Sequence, residues 1–169
     1  MKGNVEMVLQ VTERRYLDIF ADIYNSAIEL FEENARAAAT ADVFVSQLEN
    51  DENFIEIQDD GSIAAFMSYH RYGRYYELTS LYIKREFQRK GVGHKLLSHF
   101  EQMVGSDGII FVKVLKNAPW SLSFYEKNGY IPVDAEMRKT AELLNITEKA
   151  WSVVLYKDMT QQWQEGSML

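Results

Sequence analysis

The segment from Glu77 to Val104 limits the possible folds more than any other part of the chain. Up to Ile83 it is rich in apolar, aromatic and β-branched residues, which is typical of a strand. After a polar loop, apolar residues return at the three- and four-residue spacing of one helix face. The loop ends in Gly91-Val92-Gly93. We therefore predict a strand, a glycine turn and a helix, in which the first N–H groups and the positive end of the helix dipole point to one place.

A turn of this kind suits a phosphate, because glycine lets a bulky anion approach the backbone without meeting a Cβ. Two common phosphate loops are excluded. A Walker loop needs Gly-Lys followed by Ser or Thr, and the chain has no such run. A dinucleotide fingerprint needs a third glycine three residues after Gly93, where the chain has Leu96. The pattern that remains is Gln-x-x-Gly-x-Gly, from Gln88 to Gly93.

The composition indicates a globular protein without disulfides. The chain has 169 residues, 47% of them hydrophobic, and 2 prolines, which suits one packed core. It has no cysteine, which excludes a disulfide scaffold, a thiolate zinc site and a cysteine nucleophile, and which fits a reducing compartment. His70, His94 and His99 lack metal-ligand spacing, so we predict no metal.

Charge and hydropathy exclude two classes of partner. A net charge of −7 makes general nucleic-acid binding unfavourable, because that requires clustered Lys and Arg. No run of residues is long and apolar enough to span a bilayer, and the first residues contain no apolar signal core. We therefore expect a cytoplasmic protein that binds neither nucleic acid nor membrane.

Periodicity and turn signals predict one mixed α/β domain over residues 1–169, with 160–169 as a flexible tail. Asp59-Asp60-Gly61 predicts a hairpin, because Asp-Gly supplies the positive φ of such turns. The apolar run from Ile109 to Val114 is typical of a strand in a central or parallel position. The predicted order is β, α, α, β, β, β, α, β, α, β, α, β. The strands are expected at residues 5–11, 54–57, 63–69, 75–83, 109–114, 130–133 and 151–155, and the helices at 13–31, 40–48, 92–104, 117–128 and within 134–148.

Three motifs in this order resemble those of the GNAT family of N-acetyltransferases. The first is the strand bearing Glu77 that leads into Gln88–Gly93, and the second is an apolar strand that ends near Asn117. The third, Phe124-Tyr125-Glu126-Lys127-Asn128-Gly129-Tyr130, is similar to the family's Phe-Tyr-Glu-Lys-x-Gly-Phe/Tyr signature. The resemblance covers residues 75–130. It implies the acyl-CoA N-acyltransferase (GNAT) fold, a central mixed β-sheet flanked by helices.

The resemblance also implies that the chain binds acetyl-CoA and transfers the acetyl group to a primary amine of a small molecule or a peptide. Backbone amides of the loop would hold the pyrophosphate. The end of the preceding strand would hydrogen-bond the pantetheine arm through its backbone, and Asn117 would touch the same arm. The implied cofactor contacts are Leu81, Tyr82, Ile83, Gln88, Arg89, Lys90, Gly91, Val92, Gly93 and Asn117.

Two residues stand where the family places its acid and, in some members, its base. Tyr125 would protonate the departing CoA thiolate, and Glu77 would accept the proton of the amine, directly or through water. The acetyl carbonyl gains negative charge in the transition state and needs a fixed donor such as a backbone N–H. Direct attack requires no covalent intermediate, so the lack of cysteine is no obstacle.

Other interpretations of these residues stay open. An acidic residue on a strand, as Glu77 is, is often only solvated; Tyr125 can be a core tyrosine, and Asn117 can cap the helix that follows it. A catalytically inactive regulatory or sensor domain that binds acetyl-CoA would carry the same loop. Only product formation separates that domain from an enzyme.

The sequence does not identify the amine. Glu32 and Glu33 follow the first predicted helix, where the family places an acceptor-binding loop, and they can attract a cation or form a solvated helix end. Residues 134–148 separate the last two strands by more than a tight hairpin requires. We predict that this segment borders the acceptor site or a homodimer contact.

Overall fold

The computed structural model of the protein describes residues 7–28 and 39–161. In this part, strands and helices follow each other in the order predicted from the sequence. The strands are β1 (Met7–Gln10), β2 (Glu52–Ile57), β3 (Ile63–Tyr72), β4 (Tyr75–Ile83), β5 (Ile109–Leu115), β6 (Ile131–Pro132) and β7 (Ser152–Asp158). The helices are α1 (Leu17–Ile28), α2 (Val45–Asn50), α3 (Val92–Val104), α4 (Pro119–Lys127) and α5 (Ala135–Leu143).

The strands of the described part form one mixed sheet in the order β1-β2-β3-β4-β5-β7-β6. β2 runs antiparallel to β1 and β3, and β7 runs antiparallel to β5 and β6. β5 runs parallel to β4, with Tyr75 opposite Ile109 and Leu78 opposite Val112. The apolar run of β5 therefore has the central, parallel position that it predicts. The predicted mixed α/β fold class is confirmed.

The chain divides into two compact units. Among the described residues, the first unit comprises those up to His70 together with Ser80–Phe100, and the second comprises Arg71–Thr79 and those from Glu101 onward. The N-terminal strands and the start of α3 thus belong to the first unit, and β5, α4, β6, α5 and β7 belong to the second. The prediction that residues 1–169 make one domain stays a prediction.

In the first unit, helices pack on both faces of the strands. α1 covers one face, where Phe20 stacks on Phe66 of β3 with ring centroids 4.6 Å apart. The neighbouring strand positions point to the other face because side chains alternate along a strand. There Phe100 of α3 packs against Tyr69 at 4.9 Å between ring centroids.

In the second unit, α5 packs on β5 and β7. The buried residues of this core are Ile109, Phe111, Val133, Ala141, Ile146 and Val154. Asp134 caps the start of α5, because its Oδ1 accepts a hydrogen bond from Met137 N at 2.8 Å. The predicted short helix within residues 134–148 is therefore present, with part of the segment serving as core.

Some element boundaries differ from the prediction. The strand predicted at residues 130–133 is reduced to Ile131–Pro132. Tyr130 does not join it, because its N–H donates to Tyr125 O at the end of α4. The first helix begins with a 3-10 turn, Arg14–Tyr16, whose N-cap residue Glu13 makes no side-chain cap. Residues 29–31 of the predicted helix, 5 and 6 of the predicted first strand and 162–169 of the predicted tail lie outside the described residues.

Candidate active site

The loop that follows β4 leads directly to the start of α3 within the first unit. Backbone hydrogen bonds fix where it begins: Lys84 N donates to Ala64 O at 2.8 Å, and Arg85 N donates to Ser26 Oγ at 2.9 Å. After a short 3-10 turn, Gln88 Nε2 donates to Ile83 O at 3.0 Å. The Gln88 side chain thus ties the loop to the end of the strand.

The turn before α3 has the left-handed backbone that its glycine predicts. Gly91 has a φ of +82°, and an added Cβ would meet nothing within 4 Å, so conformation rather than space requires glycine there. Lys95 N donates to Gly91 O at 3.1 Å and closes the first turn of α3. The N–H groups of Val92 and Gly93 come before this bond, in the first turn of α3, where N–H groups have no acceptor within the helix. Such N–H groups, aligned with the helix dipole, are suited to bind an anion.

Two basic side chains accompany this turn. Arg89 and Lys90 are exposed, and Lys90 Nζ lies 5.9 Å from the centroid of the Phe87 ring. Arg89 also has a positive φ, of 62°, two residues before Gly91. On a chain with a net charge of −7, these two cations directly precede the start of α3 in the sequence.

The end of β4 is half-buried. The Tyr82 ring packs against Tyr24 and Phe66, with centroid distances of 4.9 and 5.5 Å. Its side chain therefore packs against the core of the first unit. The neighbours Leu81 and Ile83 are half-buried as well.

Tyr125 lies near the end of α4 in the second unit and is 6% exposed. Its ring meets Phe124 and Tyr130 edge-on, at centroid distances of 5.1 and 5.5 Å. Two aromatic neighbours thus fix the orientation of the ring. A buried and oriented hydroxyl is suited to donate a proton where solvent is scarce.

The other two candidates in the second unit differ in burial. Glu77 is half-buried on β4, opposite Phe111 of β5, and lies between two buried neighbours, Tyr76 and Leu78. Asn117 is exposed in the turn after β5. Ala118, not Asn117, is the N-cap residue of α4, so helix capping does not account for Asn117.

The candidates therefore divide between the two units. The first unit holds the whole loop from Gln88 to Gly93 and the end of β4, and the hydrogen bond from Gln88 to Ile83 brings these parts together. The second unit holds Glu77, Asn117 and Tyr125. Glu32 and Glu33 of the predicted acceptor loop lie outside the described residues.

Sequence reasoning missed two buried charged groups. Glu56 of β2 is 0% exposed, and its carboxylate oxygens make no hydrogen bond among the residues that the structure describes. Burial raises the pKa of this carboxyl to about 7. Lys157 of β7 is 9% exposed and pairs with Glu101 of α3. The only available signal was a single charge within an apolar strand pattern.

Residues 7–28 and 39–161 contain neither a metal-binding cluster nor a membrane-spanning helix. No group of three or more His, Cys, Asp or Glu in these ranges is placed to hold a metal ion. No helix among the same residues is long and apolar enough to cross a membrane.

A mixed sheet with a glycine turn between β4 and α3, and with the Phe-Tyr-Glu-Lys signature on α4, is the arrangement expected of an acyl-CoA-dependent acyltransferase. The model of the acetyltransferase (GNAT) family matches residues 15–130, which include the turn and Tyr125. The protein belongs to the GNAT family of acetyltransferases. The resemblance inferred from the three motifs is thus confirmed, and family membership supports acetyl transfer from acetyl-CoA as the general activity.

Solved structures agree on the fold. PaiA N-acetyltransferase from Thermoplasma acidophilum, in complex with coenzyme A, is 14% identical with a TM-score of 0.69, and the match covers 90% of this chain and 98% of that one. An acetyltransferase from Thermus thermophilus is 14% identical with a TM-score of 0.69, covering 90% and 96%. The ribosomal-protein-S18-alanine N-acetyltransferase from Escherichia coli is 15% identical with a TM-score of 0.65, covering 90% and 92%. Comparison with the sequences of curated proteins finds no match.

Proposed function

We propose that the protein is an acetyl-CoA-dependent N-acetyltransferase that acts on a primary amine of a small molecule or a peptide. The turn from Gln88 to Gly93 carries the proposal. It combines a glycine at φ +82°, the first N–H groups of α3 and two basic side chains, in a chain of the GNAT family. Two of the similar structures are N-acetyltransferases, which supports nitrogen as the accepting atom.

In this proposal the loop binds the pyrophosphate of acetyl-CoA through the backbone N–H groups of residues 89–93. Arg89 and Lys90 add attraction for the phosphates. The backbone of Leu81, Tyr82 and Ile83 hydrogen-bonds the pantetheine arm, and the exposed Asn117 contacts the same arm. Gln88 acts by holding the turn against Ile83 O.

The reaction is a direct transfer. The neutral amine attacks the thioester carbonyl carbon, a C–N bond forms, the C–S bond breaks, and CoA leaves as a thiolate. Glu77 accepts the amine proton, directly or through water, and Tyr125 gives its hydroxyl proton to the thiolate and regains one from solvent. A backbone N–H stabilises the charge that develops on the carbonyl oxygen.

Two further assignments belong to the same proposal. We place the protein in the cytoplasm, which the lack of cysteine supports, because disulfides are rare in that reducing compartment. We also assign the segment 134–148 to the border of the acceptor site or to a homodimer contact.

The proposal is tested by measuring free CoA thiol with acetyl-CoA and a panel of amines: polyamines, aminoglycosides, amino acids, and peptides with a free N-terminus or lysine. The chain has no cysteine, so a thiol reagent gives no background from the protein. We expect thiol release that requires one of the amines, with the acetylated amine found by mass spectrometry. Binding of acetyl-CoA without product across the panel would contradict turnover and leave an inactive regulatory domain as the function.

A further inference from the structure

Lys157 is a buried lysine whose hydrogen-bonding capacity is fully used. It lies on β7, and its Nζ donates to Glu101 Oε1 at 2.8 Å and to Oε2 at 3.1 Å. The third donor of the ammonium group reaches Asn128 O at 2.8 Å. One side chain thus joins β7, the end of α3 and the residue that ends α4, all within the second unit.

The residue that Lys157 holds belongs to the C-terminal cap of α4. Asn128 is the C-cap residue, and Gly129 follows it with a φ of +91°. Tyr130 N donates to Tyr125 O at 3.0 Å, and Gly129 N donates to Glu126 O at 3.1 Å. This pair of bonds is the Schellman motif, in which the residue after the glycine packs on the first residue of the cap.

Tyr130 contacts Tyr125 through its side chain as well as through its backbone. The Tyr130 ring packs edge-on against the Tyr125 ring at 5.5 Å. Lys157 Nζ lies 5.5 Å from the centroid of the Tyr130 ring. Burial raises the pKa of the Tyr130 hydroxyl, and the nearby Glu101 carboxylate adds to this effect, so Tyr130 stays protonated and packs as a neutral ring. The backbone carbonyl and the ring of Tyr125 are therefore both held by groups that Lys157 contacts.

We propose that Glu101 and Lys157 are a positioning pair that fixes Tyr125 in the orientation needed for proton donation. The proposal rests on the proposed function, in which Tyr125 is the acid. Lys157 donates a hydrogen bond to the Asn128 carbonyl, and Glu101 neutralises the buried ammonium group. In the cap, Tyr130 N donates to the Tyr125 carbonyl, and the Tyr130 ring packs against the Tyr125 ring. A buried ion pair adds little net stability compared with apolar residues of similar size, whereas its fixed hydrogen bonds define geometry.

The test is a double-mutant cycle between the pair and Tyr125. The paired variant Glu101→Gln/Lys157→Met removes both charges together, so that no buried charge is left without a partner. The turnover number and the KM for acetyl-CoA are measured for this variant with Tyr125 in place and again in the Tyr125→Phe background. Thermal melts verify that each protein is folded at the assay temperature.

If the pair acts by positioning Tyr125, the effect of its removal on kcat must be lost once the Tyr125 hydroxyl is removed. With Tyr125 present, we expect kcat to fall by about tenfold or more, because small displacements of a catalytic group are costly in rate. In the Tyr125→Phe background, we expect the same substitutions to change kcat less than about twofold, and the KM for acetyl-CoA to change little in either background. As a control, Arg14→Met/Glu49→Gln removes the exposed pair at 3.2 Å and should leave kcat unchanged.

An equal loss of kcat in both backgrounds, or no loss in either, overturns the positioning role while leaving the proposed function intact. A wild-type protein without amine-dependent thiol release overturns both. If the paired variant does not fold, Lys157→Arg takes its place, because it keeps the charge but its planar guanidinium cannot reproduce the three bonds of the ammonium. The same difference between the two backgrounds is then required.

Discussion

The Tyr125 hydroxyl is the group whose chemistry is most specific to the proposed reaction. Tyr125→Phe removes only this hydroxyl, since the ring contacts with Phe124 and Tyr130 involve the aromatic carbons. We expect kcat to fall by about 100-fold, the lower range for loss of a general acid, with the KM for acetyl-CoA within about threefold of wild type. Steady-state kinetics with the amine found in the panel measures both values.

A matched control is available in the other unit. Tyr16 is a buried tyrosine whose hydroxyl accepts a hydrogen bond from Arg15 at 3.0 Å. Tyr16→Phe makes the same chemical change and should leave kcat near that of wild type. If Tyr125→Phe is as active as Tyr16→Phe, then Tyr125 is a core tyrosine and another group protonates the thiolate.

Glu56 gives the stability of the protein a pH dependence of its own. Burial raises the pKa of its carboxyl to about 7 from an ordinary value of 4.5, so the folded state favours the protonated form. The corresponding stability is fully present below pH 4.5, decreases as the pH rises through about 7, and is lost above that. The size is on the order of 1–3 kcal/mol, the lower end allowing for screening by water.

Glu56→Gln keeps the shape of the side chain and removes its titration. We therefore expect the free energy of unfolding of the variant, relative to wild type, to increase between pH 5 and pH 8 by about 1–3 kcal/mol, measured by urea denaturation. Glu52→Gln, on the same strand but exposed, should give no such increase. A difference that is flat with pH would mean that the carboxylate is solvated in the folded state.

Among the contacts between elements, a buried side chain of β2 helps to connect α2 to the sheet. Asn53 of β2 is 1% exposed, and its Nδ2 donates to the carbonyls of Gln47, Leu48 and Asp51 at the end of α2, at 3.3, 3.3 and 2.8 Å. Its Oδ1 accepts a hydrogen bond from Ser68 of β3. Gln47 O also accepts from Asp51 N at 2.9 Å, but the last carbonyls of a helix lack partners within it, so for Leu48 O Asn53 supplies a hydrogen bond that α2 does not provide.

We expect Asn53→Ala to lower the free energy of unfolding by about 2–4 kcal/mol, because several buried polar groups lose a partner together. Denaturant melts measure the change. Asn50→Ala is the matched control: Asn50 is exposed, donates to Ser46 O at 2.8 Å, and should change stability by less than about 0.5 kcal/mol. Equal effects of the two substitutions would contradict the bridging role of Asn53.

Elements with a strong local signal were predictable from sequence. β4 has the predicted bounds, Tyr75–Ile83, because apolar alternation and the glycine turns on either side define it locally. The turn at Gly61 has the expected positive φ, of +85°, since Asp-Gly encodes it within two residues. The candidate loop was predictable for the same reason: its glycines and its helix lie next to each other in the chain.

The contacts between distant residues could not be predicted. Glu101 and Lys157 are 56 residues apart, and nothing in either local pattern indicates that each is buried against the other. Glu56 alternates with apolar neighbours as a solvated strand residue would, and only the packed structure excludes water from it. Such pairs depend on how elements pack, which periodicity does not encode.

For the complete protein, we expect the binding of acetyl-CoA to depend on the turn before α3. Gly91→Glu tests it, because a carboxylate placed at the turn repels the phosphates and a side chain at φ +82° strains the backbone. Gly61→Glu is the control for backbone strain, because it introduces the same side chain at a similar positive φ away from the loop. Gly61 is exposed at φ +85°, with nothing within 4 Å of an added Cβ, in the turn between β2 and β3.

The most direct measurement is the thermal shift of wild type, Gly91→Glu and Gly61→Glu with saturating acetyl-CoA. Ligand at about 100 times its dissociation constant adds roughly 2.7 kcal/mol, which for a chain of this size raises Tm by about 5–10 °C. We expect that shift in wild type and in Gly61→Glu, and its loss in Gly91→Glu. No shift in wild type, or an undiminished shift in Gly91→Glu, would contradict the assignment of the turn as the acetyl-CoA site.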